Sequence, residues 1–259
     1  MLLEDHVAVV TGGARGIGRE IALRLGREGA DVALLARSVD AMEDVAAQLR
    51  DVGRRALVVP TDLRDPEAIT AAAERTITEF GHVDTVVNNS GVGGPSAPLW
   101  EMALDDWEET FRVNVTGVYL VCKAFIPAMI EQRSGSIVII GSVTGKRPLL
   151  NRTPYAASKL ALVGLVRTLA HEVGPHGIRA NVISPGGVEG ERINWVIKQQ
   201  AEGQGITQDE ARAQFADASP LKRLVAPQDV ANAVVFLASE QSAGITGEDM
   251  NVSAGLAMY

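Results

Sequence analysis

The chain of 259 residues has a single cysteine, Cys122, and therefore no internal disulfide. Its four histidines, His6, His82, His171 and His176, are scattered without metal-ligand spacing. A lone thiol fits a reducing compartment, and the sequence reads as cytoplasmic. No basic leader precedes an apolar signal core, and no apolar run reaches the roughly 18 residues of a membrane span, so neither secretion nor membrane insertion is expected. Positive charge is in deficit. With 24 Lys and Arg against 32 Asp and Glu, the net charge is −8, which argues against nucleic acid or an anionic membrane as the main partner while leaving room for a local basic pocket. Aromatic residues make up only 4%, with three tyrosines in all.

What the chain has in quantity is apolar sequence, 46% of residues, enough for a large core in one domain spanning 1–259. Short β-branched runs, "VAVV", "DVALLA", "RALVVP", "DTVVNN", "SIVIIG", "IRANVIS" and "EDMNVS", alternate with segments of helical spacing such as "GIGREIALRLGREG" and "DPEAITAAAERTITEFG". Strands that are apolar throughout are buried on both faces. The pattern predicts an α/β fold, a doubly wound parallel sheet with helices on each side. The one departure is residues 187–217, a polar, Gly-containing, partly helical insertion.

The first strand runs into "TGGARGIGRE". Glycines at 12, 16 and 18, between a strand and a helix, allow a tight turn and bring helix N-terminal amides against a pyrophosphate. The Gly-Lys-Ser/Thr ending of a nucleoside-triphosphate loop is missing. Further on, "YAASK" sets Tyr155 and Lys159 four residues apart near the start of a helix, on one face. By itself such a pair also reads as a tyrosine and a lysine on a solvated helix face; free tyrosine titrates near pH 10, and a neighbouring ammonium stabilises the phenolate.

Taken in order, "TGGARGIG", "NNSG", "GS" at 141–142, "YAASK" and "PGGV" make the chain resemble the short-chain dehydrogenases/reductases, single-domain branch, over essentially its whole length. That resemblance implies a seven-stranded Rossmann-type sheet, and hydride transfer between a nicotinamide cofactor and a small ketone or secondary alcohol. It also implies a homotetramer or homodimer. Position by position it implies Asn114 as anchor of a water in a proton relay, and Ser142 as hydrogen-bond donor to the substrate oxygen. Tyr155 is then the proton donor and acceptor, and Lys159 holds both the phenol and the nicotinamide ribose. For the cofactor it implies Gly12, Arg15, Gly16, Ile17 and Gly18 in the loop, Asp62 and Leu63 at the adenine, Asn89 after the fourth strand, and the backbone of Val188 at the carboxamide.

Cofactor preference is read from "VALLARS". Members that prefer NAD(H) carry a carboxylate at the end of the second strand, where this chain has Ala36. Arg37 follows, and with Arg15 it supplies two guanidiniums for a 2′-phosphate, so NADP(H) is expected to be preferred, with NAD(H) also accepted. Three positions depart from the family pattern. Ser90 replaces a usual Ala, Gly190 stands where a Thr commonly meets the carboxamide, and the C-terminus reads "NVSAGLAMY". The substrate is not encoded by the fold. A 3-oxoacyl carrier-protein reductase and a non-catalytic nucleotide-binding scaffold are the alternatives. Lys146, Arg147 and Arg152, between Ser142 and Tyr155, together with Glu191 and Arg192 at the opening of the 187–217 substrate lid, suggest a substrate with an anionic or strongly polar group.

Overall fold

The computed structural model describes residues 1–259. Seven parallel strands form one sheet: β1 (Val7–Thr11), β2 (Asp31–Ala36), β3 (Ala56–Pro60), β4 (Thr85–Asn88), β5 (Gly135–Ile140), β6 (Ile178–Pro185) and β7 (Asp249–Val252), in the order β3-β2-β1-β4-β5-β6-β7. Each of the seven apolar runs in the sequence is a strand. Alternate residues feed opposite faces, as the period of a strand requires. Val7 and Val9 of β1 and Ile137 and Ile139 of β5 enter one core, and Ala8, Val10, Val138 and Ile140 enter the other.

The first core is closed by α3 (Pro66–Phe80), α5 (Gly117–Gln132) and α6 (Thr153–Val173), through Ile69, Phe80, Phe125, Met129, Leu162 and Val166. The second is closed by α1 (Gly16–Arg27), α2 (Val39–Asp51) and α9 (Pro227–Ala238), through Ile21, Leu25, Met42, Leu49, Val230 and Val234. Local chemistry sets the helix ends. Asp65 accepts the backbone amides of Glu67 and Ala68 at 2.9 and 3.1 Å, Pro66 opens α3, and Gly81 closes it at φ 87°.

A long helix precedes β5. Its first part, α4 (Leu104–Phe111), passes through one widened turn at Arg112–Thr116 into α5. By length and composition the whole stretch Leu104–Gln132 is long and apolar enough to cross a membrane, yet Val118, Val121, Cys122 and Phe125 pack on the sheet. The 187–217 segment folds as two helices, α7 (Glu191–Gln204) and α8 (Gln208–Asp217), around a small core of their own made by Ile193, Ile197, Ala201, Ala211 and Leu224. Strand order reverses between β1 and β4, so the loops after those strands part at the carboxyl edge of the sheet and open a crevice there.

Candidate active site

That crevice widens into a cleft of about 1200 Å³, and every catalytic and cofactor residue singled out in the sequence, except Asn114, lines it. Asn114 lies directly beneath, fully buried.

At one end is the glycine loop. Gly12 and Gly16 have φ of 67° and 55°, a region that other residues rarely enter. Gly18 is required by close approach: a Cβ there would fall 2.2 Å from the Gly12 carbonyl oxygen and 2.4 Å from Asn89 Nδ2. Arg15, ahead of α1, places no side-chain cap on the first turn, so its amides remain available to a ligand. Asn89 does not face outward. Its Nδ2 donates to the Thr11 carbonyl at 2.9 Å, and Thr11 Oγ1 accepts the amides of Asn89 and Ser90 at 3.0 Å each, which ties the loop after β4 to the glycine loop.

Ala36 ends β2 and Arg37 follows at the cleft wall, with Asp62, Leu63 and Arg64 opposite. Arg64 bridges Asp62, at 3.1 Å, and Glu109. Burial alone would raise the Asp62 carboxyl, but the Arg64 amide and guanidinium, helped by Arg37, hold it below its ordinary value. A residue pairing of β6's extension shapes the far end. Val225 bridges Gly187 and Glu189 through backbone hydrogen bonds of 2.9 Å, and the amide of Val188 between them points the other way.

In the middle of the cleft stand Ser142, Tyr155 and Lys159. Ser142 leaves β5 in extended backbone and its hydroxyl accepts the Thr144 amide at 3.1 Å. Tyr155 and Lys159 occupy the first turns of α6, with Lys159 Nζ 5.9 Å from the centroid of the Tyr155 ring. Burial by itself would push the phenol up. Lys159 first, then Arg192, the Ser142 hydroxyl and Arg152, outweigh it and hold the phenol below the value of free tyrosine. Lys159 is 4% exposed, and burial lowers its own ammonium against the opposing pull of Tyr155. Its Nζ donates to the Ile140 carbonyl at 2.8 Å.

Asn114 sits in the widened turn, a helical irregularity that recurs at functional sites. Its Oδ1 accepts the Val92 amide at 2.8 Å, and its Nδ2 donates to the Val92 carbonyl at 3.0 Å and to Ser158 Oγ at 3.1 Å. The amide thus braces the loop after β4 against α6. Gly91 lies over both groups: a Cβ there would be 3.1 Å from Asn114 Oδ1 and 3.5 Å from Lys159 Nζ.

The cationic cluster expected near the mouth divides. Lys146 is drawn away by Asp249, at 2.8 Å, and by Asn251 Oδ1, at 2.6 Å. Arg147, Arg152 and Arg192 do line the cleft. Trp195, which no sequence motif marks, lines it as well, from α7.

The sequence and the fold match known proteins along nearly the whole chain. The family model described as enoyl-(acyl carrier protein) reductase covers residues 12–257. This chain belongs to the short-chain dehydrogenase/reductase family. It is 35% identical over 253 residues to the 2,3-dihydro-2,3-dihydroxybenzoate dehydrogenase of Bacillus subtilis, covering 98% of this chain and 96% of that one. It is 35% identical over 258 residues to the 3-oxoacyl-(acyl-carrier-protein) reductase FabG of Escherichia coli, covering 100% of both. Among solved structures, an NAD+-bound xylitol dehydrogenase superposes with a TM-score of 0.94 at 30% identity, over 98% of this chain and 100% of the other. The protein is an oxidoreductase of this family.

Proposed function

We propose that this short-chain dehydrogenase/reductase interconverts a small ketone and a secondary alcohol with NADP(H) as the preferred cofactor. The observation that carries the reading is the buried ammonium of Lys159 5.9 Å from the centroid of the Tyr155 ring, with the Ser142 hydroxyl next to the phenol and the phenol held below its ordinary value.

The glycine loop fits a dinucleotide, because the first turn of α1 has no side-chain cap and nothing lies within 4 Å of where a Cβ at Gly16 would project, so its amides are open to a phosphate. Gly12, Arg15, Gly16, Ile17 and Gly18 would hold its phosphates, Asp62 and Leu63 its adenine, and Val188 its carboxamide through a free backbone amide. Asn89 serves by holding the loop. A bound nicotinamide supplies the acceptor or donor of hydride. The chain supplies the proton and the geometry. Ser142 hydrogen-bonds the substrate oxygen, and Tyr155 delivers a proton to that oxygen in reduction or removes it in oxidation. Lys159 keeps the phenol acidic and meets the ribose. Asn114 is a positioning residue that fixes the loop facing them, and it anchors the relay that returns the proton to water. The α7–α8 hairpin, with its separate small core, acts as the lid.

The missing carboxylate at Ala36 and the guanidiniums of Arg37 and Arg15 support preference for a 2′-phosphate. Leu104, Tyr119 and Leu160 expose 68, 48 and 51% of their surface on α4, α5 and α6, which supports a homotetramer or homodimer. A cytoplasmic location agrees with the single, buried thiol.

A screen of cyclic and linear ketones with NADPH and NADH, with Tyr155→Phe as control, tests the activity. Absence of any Tyr155-dependent turnover would defeat it. The second reading is a 3-oxoacyl carrier-protein reductase, favoured by the full-length match to FabG; turnover of acetoacetyl thioesters above that of simple ketones would select it.

A further inference from the structure

Beside the reacting centre, a buried cation has no carboxylate partner. Arg152, at the residue preceding α6, is only 7% exposed. Its guanidinium lies 5.5 Å from the centroid of the Tyr155 ring and 5.7 Å from that of Trp195. One Nη donates to the Gly93 carbonyl at 2.5 Å, while Nε is buried with no partner. Neither Arg152 nor Arg192 makes an ion pair with any carboxylate. Glu189 and Glu191 share this end of the cleft, but neither is within salt-bridge reach of the two arginines, and Glu189 instead acts on Arg223.

A buried guanidinium left unpaired is unfavourable. Bracing the loop after β4 does not account for it, because Asn114 already grips Val92 on both sides and a neutral amide would serve the Gly93 carbonyl equally well. Arg192 adds a second cation: it donates to the Gly91 carbonyl at 2.8 Å, two residues before Gly93. Trp195 offers a flat apolar wall against the same guanidinium.

We propose that the substrate carries a carboxylate on a small ring or short chain, and that Arg152, backed by Arg192, binds it beside Tyr155. The contact of Arg152 with the Tyr155 ring sets the carboxylate only a few bonds from the reacting carbon, which excludes a long acyl chain between the two. The guanidinium gives a carboxylate charge-assisted hydrogen bonds, with the Nη that does not meet the Gly93 carbonyl free to donate. The proposal rests on the oxidoreductase reading above and deepens it.

The test compares 4-oxocyclohexanecarboxylate with its methyl ester, using NADPH, in the unmodified protein and in Arg152→Gln and Arg152→Lys. The quantity read is the acid-to-ester ratio of kcat/KM, which cancels any loss common to both through the Tyr155 contact. A ratio of about ten or more is expected for the unmodified protein, since a charge-assisted hydrogen bond is worth roughly a tenfold to hundredfold effect. It should collapse towards one in Arg152→Gln, mainly through KM, and recover in part in Arg152→Lys. Calorimetric binding of cyclohexanecarboxylate against cyclohexanecarboxamide is measured in parallel. If no ketone turns over but the carboxylate binds more tightly than the amide and Arg152→Gln abolishes the difference, the anion site stands and the oxidoreductase reading falls. Should Arg152→Gln fail to fold, the acid-to-ester ratio and the carboxylate preference in the unmodified protein decide. Equal kinetics for acid and ester together with equal binding of carboxylate and amide overturn the proposal.

Discussion

Lys159 Nζ stands 5.9 Å from the centroid of the Tyr155 ring and donates to the Ile140 carbonyl at 2.8 Å, so one buried ammonium is locked to the sheet and faces the phenol. Removing the phenol oxygen takes away the proton but almost no packing surface. Tyr155→Phe should therefore lose nearly all turnover and bind the cofactor as before, whereas Lys159→Ala should impair both. Steady-state rates and a fluorescence titration of the reduced cofactor check this. Substantial turnover by Tyr155→Phe would rule out the proton role.

The same pair predicts a pH profile. The Tyr155 phenol is held below its ordinary value, so the phenolate needed for alcohol oxidation forms below about pH 10, the value of free tyrosine. The rise of kcat/KM for oxidation should lie below that pH in the unmodified protein. In Lys159→Met the strongest opposing charge is gone and burial is met only by Arg192, Ser142 and Arg152, so the rise in the remaining activity should move to higher pH. A profile that does not move would show that the ammonium does not set the phenol.

Arg37 should discriminate between cofactors. Arg37→Ala is expected to weaken NADP(H) binding by roughly tenfold to hundredfold, the size of a charge-assisted phosphate contact, with a smaller effect on NAD(H). Equilibrium titrations with both reduced cofactors measure it. Equal or tighter binding of NADH by the unmodified protein would refute the reading of Ala36 and Arg37.

Gly18→Ala and Gly164→Ala make a matched pair. The first sets a methyl 2.2 Å from the Gly12 carbonyl oxygen, whereas the second meets nothing within 4 Å on an exposed helix face. Gly18→Ala should cost about 1–3 kcal/mol, as overpacking does, and abolish cofactor binding. Gly164→Ala should stabilise by about 0.4–1 kcal/mol through the unfolded chain. Thermal unfolding compares them.

Cys122 is buried and its thiol is pushed up to about 12. Native protein at pH 8 should resist iodoacetamide, and denatured protein should be alkylated quickly. Mass spectrometry after timed exposure tests it.

The strands were all legible because parallel strands buried on two faces leave uninterrupted apolar runs, and the motif residues converge because the glycine loop, Asn89, Ser142 and Val188 follow strands at the same edge of the sheet, where the start of α6 brings Tyr155 and Lys159 to them. What the sequence conceals is which partner a side chain takes. Lys146 carries the same charge as Arg152, but Asp249 and Asn251 of β7 claim it, a pairing that only the fold creates. Asn89 and Asn114 turn out to spend their amides on neighbouring backbone. Residues 117–132 carry no clean helical stripe, since "GVYLVCKAFIPAMIEQ" is apolar around most of its circumference. Trp195 belongs to no motif, and its place opposite Arg152 follows only from the path of α7.

The widened turn at Arg112–Thr116 acts as a phase shifter. One additional residue in a turn rotates everything after it by about 100° relative to an unbroken α-helix. Before it, α4 buries only Thr110; after it, α5 buries Val118, Val121, Cys122, Phe125 and Met129. Substitutions along the exposed side of this helix leave that relationship intact. A single-residue deletion within 112–116 would keep the helix and break the relationship, turning either Asn114 away from Val92 or the buried residues of α5 away from the sheet. In this stretch it is the count of residues, as much as their identity, that joins the core to the site.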